Sequence, residues 1–64
     1  MKYVIKNKKS DKLVLGWEVD FKGKPYAIIE SDTRPPLIFF DLEDATNTAK
    51  RLGGKYCVSK YKGV

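Results

Sequence analysis

The clearest pattern in the chain is an alternation of side-chain type between residues 13 and 21. Apolar side chains occupy every odd position, and polar or small ones occupy the even positions apart from Val14. A period of two is typical of a strand that buries one face. We therefore predict a strand whose odd-numbered side chains face the core: Leu13, Leu15, Trp17, Val19 and Phe21.

A second pattern, between residues 41 and 53, is helical. Asp41 suits the N-cap position, because its carboxylate can accept hydrogen bonds from free amides of the first turn. Gly53 suits the C-terminal end, where a left-handed backbone is common. The predicted helix carries one narrow apolar stripe, formed by Leu42, Ala45, Ala49 and Leu52.

Three further segments combine β-branched and aromatic residues and are bounded by turn residues. They predict strands at residues 3–6, 26–30 and 55–61. In the last of these, alternation places Tyr56 and Val58 on one side and Cys57, Ser59 and Tyr61 on the other. Residues 37–40 are interpreted as a short strand or as an apolar lead-in to the helix.

These elements predict the fold class. Their order is β-β-β-(β)-α-β, which indicates a single α+β domain spanning residues 1–64. We expect a small antiparallel sheet of three to five strands with one helix packed on one face. Trp17 and Phe21 are expected to lie beneath the alanine residues of the helix.

Composition narrows the classes of function. The 64 residues include one cysteine and no histidine. Disulfide scaffolds, zinc clusters and histidine-based catalysis are therefore excluded, and no cofactor is expected. No apolar run approaches the roughly 18 residues that a membrane helix needs. Lys6 follows the start too closely for a secretory signal.

Charge is distributed unevenly along the chain. The net charge is +5, but residues 1–17 carry +4, residues 18–44 carry −4 and residues 45–64 carry +5. Basic segments at the two ends can form one surface if the first and last strands are neighbours.

Several short motifs of the chain occur together in a known group of proteins. They are an opening of the type Tyr3-Val4-Ile5-Lys6, Trp17 with Asp20, the run Phe40-Asp41-Leu42-Glu43-Asp44-Ala45, Ala49 with Leu52-Gly53-Gly54, and Tyr56 with Val58. With these motifs the chain resembles small proteins of bacteriophages and prophages. The resemblance implies an accessory role in the cytoplasm of a bacterium that carries a phage, and it transfers no functional residues.

Catalytic motifs are weak in this sequence, and we predict that the protein is not an enzyme. Glu18 and Asp20 lie two apart on a predicted strand, but no neighbouring residue completes a metal or acid–base site. Cys57 has no histidine to activate it. Gly53 and Gly54 end a helix, whereas phosphate loops precede one.

A protein-binding role is the first functional hypothesis. Arginine is favoured at interface hot spots, and Arg34 lies in a proline-stiffened loop. An exposed strand edge is the other predicted contact, and the partner is expected to be a bacterial host or defence protein or a second copy of this chain. The candidate loop site consists of Asp32, Thr33, Arg34, Pro35 and Pro36.

Weak, sequence-tolerant binding of nucleic acid is the alternative hypothesis. Lysines neutralise phosphates, and exposed tyrosines stack on unpaired bases. Both residue types are interleaved near the two ends of the chain. The candidate residues for this role are Lys2, Lys6, Lys55, Lys60, Tyr61 and Lys62.

Overall fold

The computed structural model describes residues 1–62. They form four strands and one helix: β1 (Tyr3–Asn7), β2 (Leu13–Val19), β3 (Pro25–Ser31), α1 (Leu42–Leu52) and β4 (Tyr56–Lys60). The strands make one antiparallel sheet in the order β3-β2-β1-β4. The predicted α+β class and the number of strands are confirmed.

β1 and β4 pair in an unbroken register. Tyr3 lies opposite Lys60, and each following residue of β1 faces the preceding residue of β4 as far as Asn7 and Tyr56. The first and last strands are therefore neighbours, and β4 forms one edge of the sheet.

β2 and β3 pair irregularly. Val14 faces Glu30, whereas Gly16 faces Ile29, so Leu15 is an extra residue in β2. An extra residue reverses which positions point to each face of the sheet. Val14 is consequently only 1% exposed, although the alternation assigns it to the solvent side. The prediction that only the odd-numbered residues of β2 face the core is therefore wrong at Val14.

The core lies between the sheet and α1, which packs mainly on β4 and β1. Its buried centre consists of Ile5, Val14, Ala49 and Leu52. The half-buried side chains of Trp17, Ile28, Phe39, Tyr56 and Val58 pack around that centre. Trp17 thus contacts the core as predicted.

Both ends of α1 match their sequence signals. The carboxylate of Asp41 accepts from the N–H of Glu43 at 3.0 Å, which satisfies one free donor of the first turn. At the other end the N–H of Gly53 donates to the carbonyl of Ala49 at 3.2 Å. The φ of Gly53 is 121°, a backbone angle that favours glycine. Leu42, the first residue of the stripe, is half exposed instead of buried.

The prediction that Phe21 lies beneath the alanine residues of α1 is wrong. Phe21 is 94% exposed, because β2 ends at Val19 and Asp20 begins a turn. The Asp20 carboxylate accepts from the N–H groups of Lys22 and Lys24, both at 2.9 Å. α1 packs mainly on β4 and β1, and it reaches this turn through Arg51, whose guanidinium donates to the carbonyl of Gly23 at 2.9 Å, while the Phe21 ring stays in solvent.

Residues 37–40 form a single bridge and not a strand. Phe39 and Tyr3 exchange backbone hydrogen bonds of 2.7 and 2.8 Å, and the N–H of Leu37 donates to the carbonyl of Val14 at 3.1 Å. This segment therefore joins β1 to β2 where the two strands do not pair directly.

Candidate binding surface at the free edge of β4

Among residues 1–62, β4 bonds to a neighbouring strand on one side only. The N–H of Lys8 donates to the carbonyl of Lys55 at 2.8 Å, and the N–H of Tyr61 donates to that of Lys2 at 2.9 Å. Bonds between a given antiparallel pair recur at every second residue. The odd-numbered residues of β4 therefore bond to β1.

The even-numbered residues of β4 direct their backbone groups away from β1. Tyr56 is one of them, and its N–H is used locally, donating to the carbonyl of Gly53 at 3.2 Å. Val58 and Lys60 present their N–H and carbonyl groups to the outer edge, where no other strand of residues 1–62 lies. An extended chain can pair with such an edge.

A shallow groove of about 420 Å³ runs between α1 and the start of β4. Part of its wall carries small side chains or none, at Ala49, Gly53 and Gly54. Lys50 is the charged residue of the lining. The complete lining is Thr46, Ala49, Lys50, Gly53, Gly54, Tyr56, Cys57 and Val58.

Tyr56 is held in place by a polar network that links three strands. Its hydroxyl donates to Glu30 Oε2 at 2.7 Å, and Asn7 Nδ2 donates to Glu30 Oε1 at 3.0 Å. Burial, followed by the hydrogen bond to Glu30, raises the pKa of Tyr56 to about 12. The network joins the floor of the groove to β3. Sequence reasoning missed it, because Glu30 and Asn7 lie far apart and carry no shared motif.

The lysines proposed for nucleic-acid binding follow the β1–β4 pair but do not share one face. Lys6 lies opposite Cys57 on the face away from α1, whereas Lys60 lies opposite Tyr3 on the face of Ile5 and Val58. Lys6 also approaches Asp11, with 3.8 Å between Nζ and Oδ1.

The remaining candidates collect at the two ends of the same pair of strands. At one end Lys2, Lys60, Tyr61 and Lys62 surround a concavity that Met1 completes. At the other end Lys55 lies beside Lys8, Lys9 and Gly54. The structure therefore brings four of the six residues together and leaves Lys6 and Lys55 apart from them.

The candidate loop site lies outside the groove lining. Residues 32–35 are exposed, and Pro36 is half-buried. Ser31 Oγ accepts from the N–H groups of Thr33 and Arg34 at 3.1 and 3.2 Å, which closes a compact turn. Arg34 is thus presented to solvent from a defined backbone.

The other residues considered for chemistry have local roles. Glu18 accepts from the hydroxyl of Tyr26 at 3.0 Å, and this bond raises the pKa of Tyr26. Asp20 closes the β2–β3 turn, and Cys57 is a half-buried free thiol. Within residues 1–62, no three acidic or thiol side chains are grouped so that they could hold a metal ion.

Comparisons with known proteins add no functional assignment. No protein-family model matches the chain, and the comparisons with curated proteins and with solved structures also give no match. None of the described helices is long and apolar enough to cross a membrane.

Proposed function

We propose that the protein is a non-enzymatic binding module that recognises another polypeptide by adding it as a strand to β4. The observation that carries this proposal is the outward backbone edge of Val58 and Lys60 beside the groove of α1. Main-chain hydrogen bonds supply affinity in such complexes, and the groove selects side chains. The resemblance to phage proteins points to a bacterial protein as the partner, in the cytoplasm.

The other edge of the sheet is less suited to this role. β3 begins with Pro25, which has no N–H to donate, and Tyr26 is an extra residue between the pairs Glu18–Ala27 and Val19–Pro25. Prolines and bulges are the features by which proteins protect strand edges from pairing. β4 has neither, and its pairing with β1 is regular.

The test is affinity capture of the bacterial partner with two variants. Lys60→Pro removes an outward N–H at the end of β4, where a proline disturbs the ladder with β1 least. Arg34→Ala removes the side chain at the centre of the loop site. Loss of the captured protein with Lys60→Pro alone supports strand addition. Loss with Arg34→Ala alone moves the site to the loop, and retention by both variants contradicts both sites.

In the resulting complex, amide hydrogen exchange checks the geometry directly. Strand addition slows exchange at Val58 and Lys60, whose N–H groups become bonded. Ser59 is the matched control, because its N–H already faces β1. Equal slowing at all three residues would indicate general stabilisation and not an added strand.

Nucleic-acid binding is a second candidate function, favoured by the gathering of Lys2, Lys60, Tyr61 and Lys62 at one end of the β1–β4 pair. Titration with a single-stranded oligonucleotide at low and moderate salt tests it. We expect affinity that falls steeply with salt, because phosphate contacts release counterions. No binding at low salt removes this candidate.

A further inference from the structure

The charge around the β4 edge narrows the chemistry of its partner. Lys50 lines the groove, Lys55 precedes β4, Lys60 ends it and Lys62 follows. No acidic residue occurs in the sequence after Asp44. A strand that pairs with β4 therefore lies beside these four lysines. The part of the chain that carries them, residues 45–64, contains no Asp or Glu.

We propose that the β4 edge binds an extended acidic segment, which pairs with the backbone of Val58 and Lys60 and lays one small apolar side chain into the groove of α1. This inference rests on strand addition as the proposed function, and it names the partner's chemistry. Carboxylates beside lysines at an interface rim increase the association rate and select against basic partners.

The alternation of side chains along a strand determines which residues of the bound acidic segment face the groove. Side chains of an added strand point alternately to the two faces of the sheet. Those on the α1 side meet the groove, with Lys50 on its wall and Lys60 at the end of β4. Lys55 bonds in register with Lys8, so acidic residues on the opposite side meet Lys55 at the start of the strand.

The same charges disfavour a second copy of this chain as the occupant. Two β4 strands that pair edge to edge would bring Lys50, Lys55, Lys60 and Lys62 of both copies together without a carboxylate between them. Like charges placed across a strand pair are destabilising. Nucleic acid shares the negative charge, but it cannot bond to an outward N–H ladder in the register of a strand.

The experiment is selection from a displayed library of random eight-residue peptides, followed by titration of the labelled selected peptide. We expect the selected sequences to be enriched in Asp and Glu around a small apolar residue. Lys50→Gln with Lys60→Gln should weaken binding about three- to thirtyfold. The control, Lys22→Gln with Lys24→Gln, removes the same charge at the β2–β3 turn and should change affinity less than about twofold.

The outcomes separate this inference from the proposed function. Selected peptides without acidic enrichment, or peptides that bind the Lys50 and Lys60 double variant normally, overturn the acidic partner while strand addition stands. Peptides that bind Lys60→Pro as well as wild type, or a selection that yields no binder, overturn strand addition itself. Displacement of the selected peptide by a single-stranded oligonucleotide, together with Lys60→Pro binding the peptide no more weakly than Lys60→Gln, overturns strand addition and assigns the surface to nucleic acid.

Discussion

The half of the sheet formed by β1 and β4 differs from the half formed by β2 and β3 in register, burial and edge. β1 and β4 pair without interruption beneath α1, and their outer edge is open. β2 and β3 contain two irregularities, have fewer contacts with α1 and expose large apolar side chains. These exposed residues are Val19, Phe21, Tyr26 and Ile29.

In this chain of 64 residues, the half that contributes most to stability also carries the strand edge that is available for binding. So small a domain has few buried side chains, and three of the four in the central cluster lie where α1 packs on β1: Ile5, Ala49 and Leu52. The outer edge of that same half is supported by the core, so β4 can present a defined backbone to a partner. The irregular half protects its edge with Pro25 and a bulge.

The largest expected effect contrasts one residue from each half. Ile5→Ala should reduce the free energy of unfolding by about 3–4 kcal/mol, because Ile5 is fully buried in the core. Phe21→Ala should change it by less than about 0.5 kcal/mol, since the side chain is exposed. Urea unfolding of both variants measures this. A cost above about 1 kcal/mol for Phe21→Ala would show that the Phe21 ring itself packs against the fold.

A smaller effect is expected where Glu30 joins the two halves. Tyr56→Phe removes one hydrogen-bond donor to the half-buried carboxylate and should cost about 1–2 kcal/mol at pH 7. The pKa of Tyr56 is raised to about 12 in the folded protein, above the ordinary value of about 10 for tyrosine. Folding therefore favours the protonated phenol, and this contribution is complete below pH 10.

The contribution of Tyr56 should then be lost as the pH rises from about 10 to about 12. Urea midpoints of wild type and Tyr56→Phe, compared across this range, isolate it from the titration of the lysines that both proteins share. We expect the difference between the two proteins to shrink with rising pH. A constant difference would mean that the phenol contributes by packing and not through its proton.

The smallest effects concern two glycines of the β2–β3 hairpin. Gly23 has φ 81°, so Gly23→Ala should destabilise the fold by about 1 kcal/mol. Gly16 has no positive φ, and nothing lies within 4 Å of an added Cβ. Gly16→Ala should therefore stabilise the protein by about 0.5 kcal/mol. Thermal melts of the two variants give opposite shifts, and a destabilising Gly16→Ala would show that the bulge beside it needs glycine.

Sequence patterns predicted the regular half more accurately than the irregular one. In β4, alternation correctly placed Tyr56 and Val58 together on one side, which is the core side in the structure, because each residue of the strand has one partner. In β2, the extra residue at position 15 breaks that condition and buries Val14. Gly16 is the signal that was available, since an isolated glycine within a strand pattern often marks a bulge.

The candidate site was only partly predictable for a related reason. The sequence indicates exposed strand edges in general, but which edge is open depends on the order of the strands. The groove depends on where α1 crosses the sheet, and that position is set by tertiary packing around Leu52. The link from Glu30 to Asn7 and Tyr56 connects residues remote in sequence, so no local pattern encodes it.

The central position of β1 has a consequence for how the molecule is made. Tyr3 pairs with Lys60, so β1 can pair with β4 only after residues 3–60 have been synthesised. Contacts between residues so distant in sequence slow folding, because a long loop must close first. A nascent chain that ends within α1 therefore exposes the edge of β1 that β4 later covers.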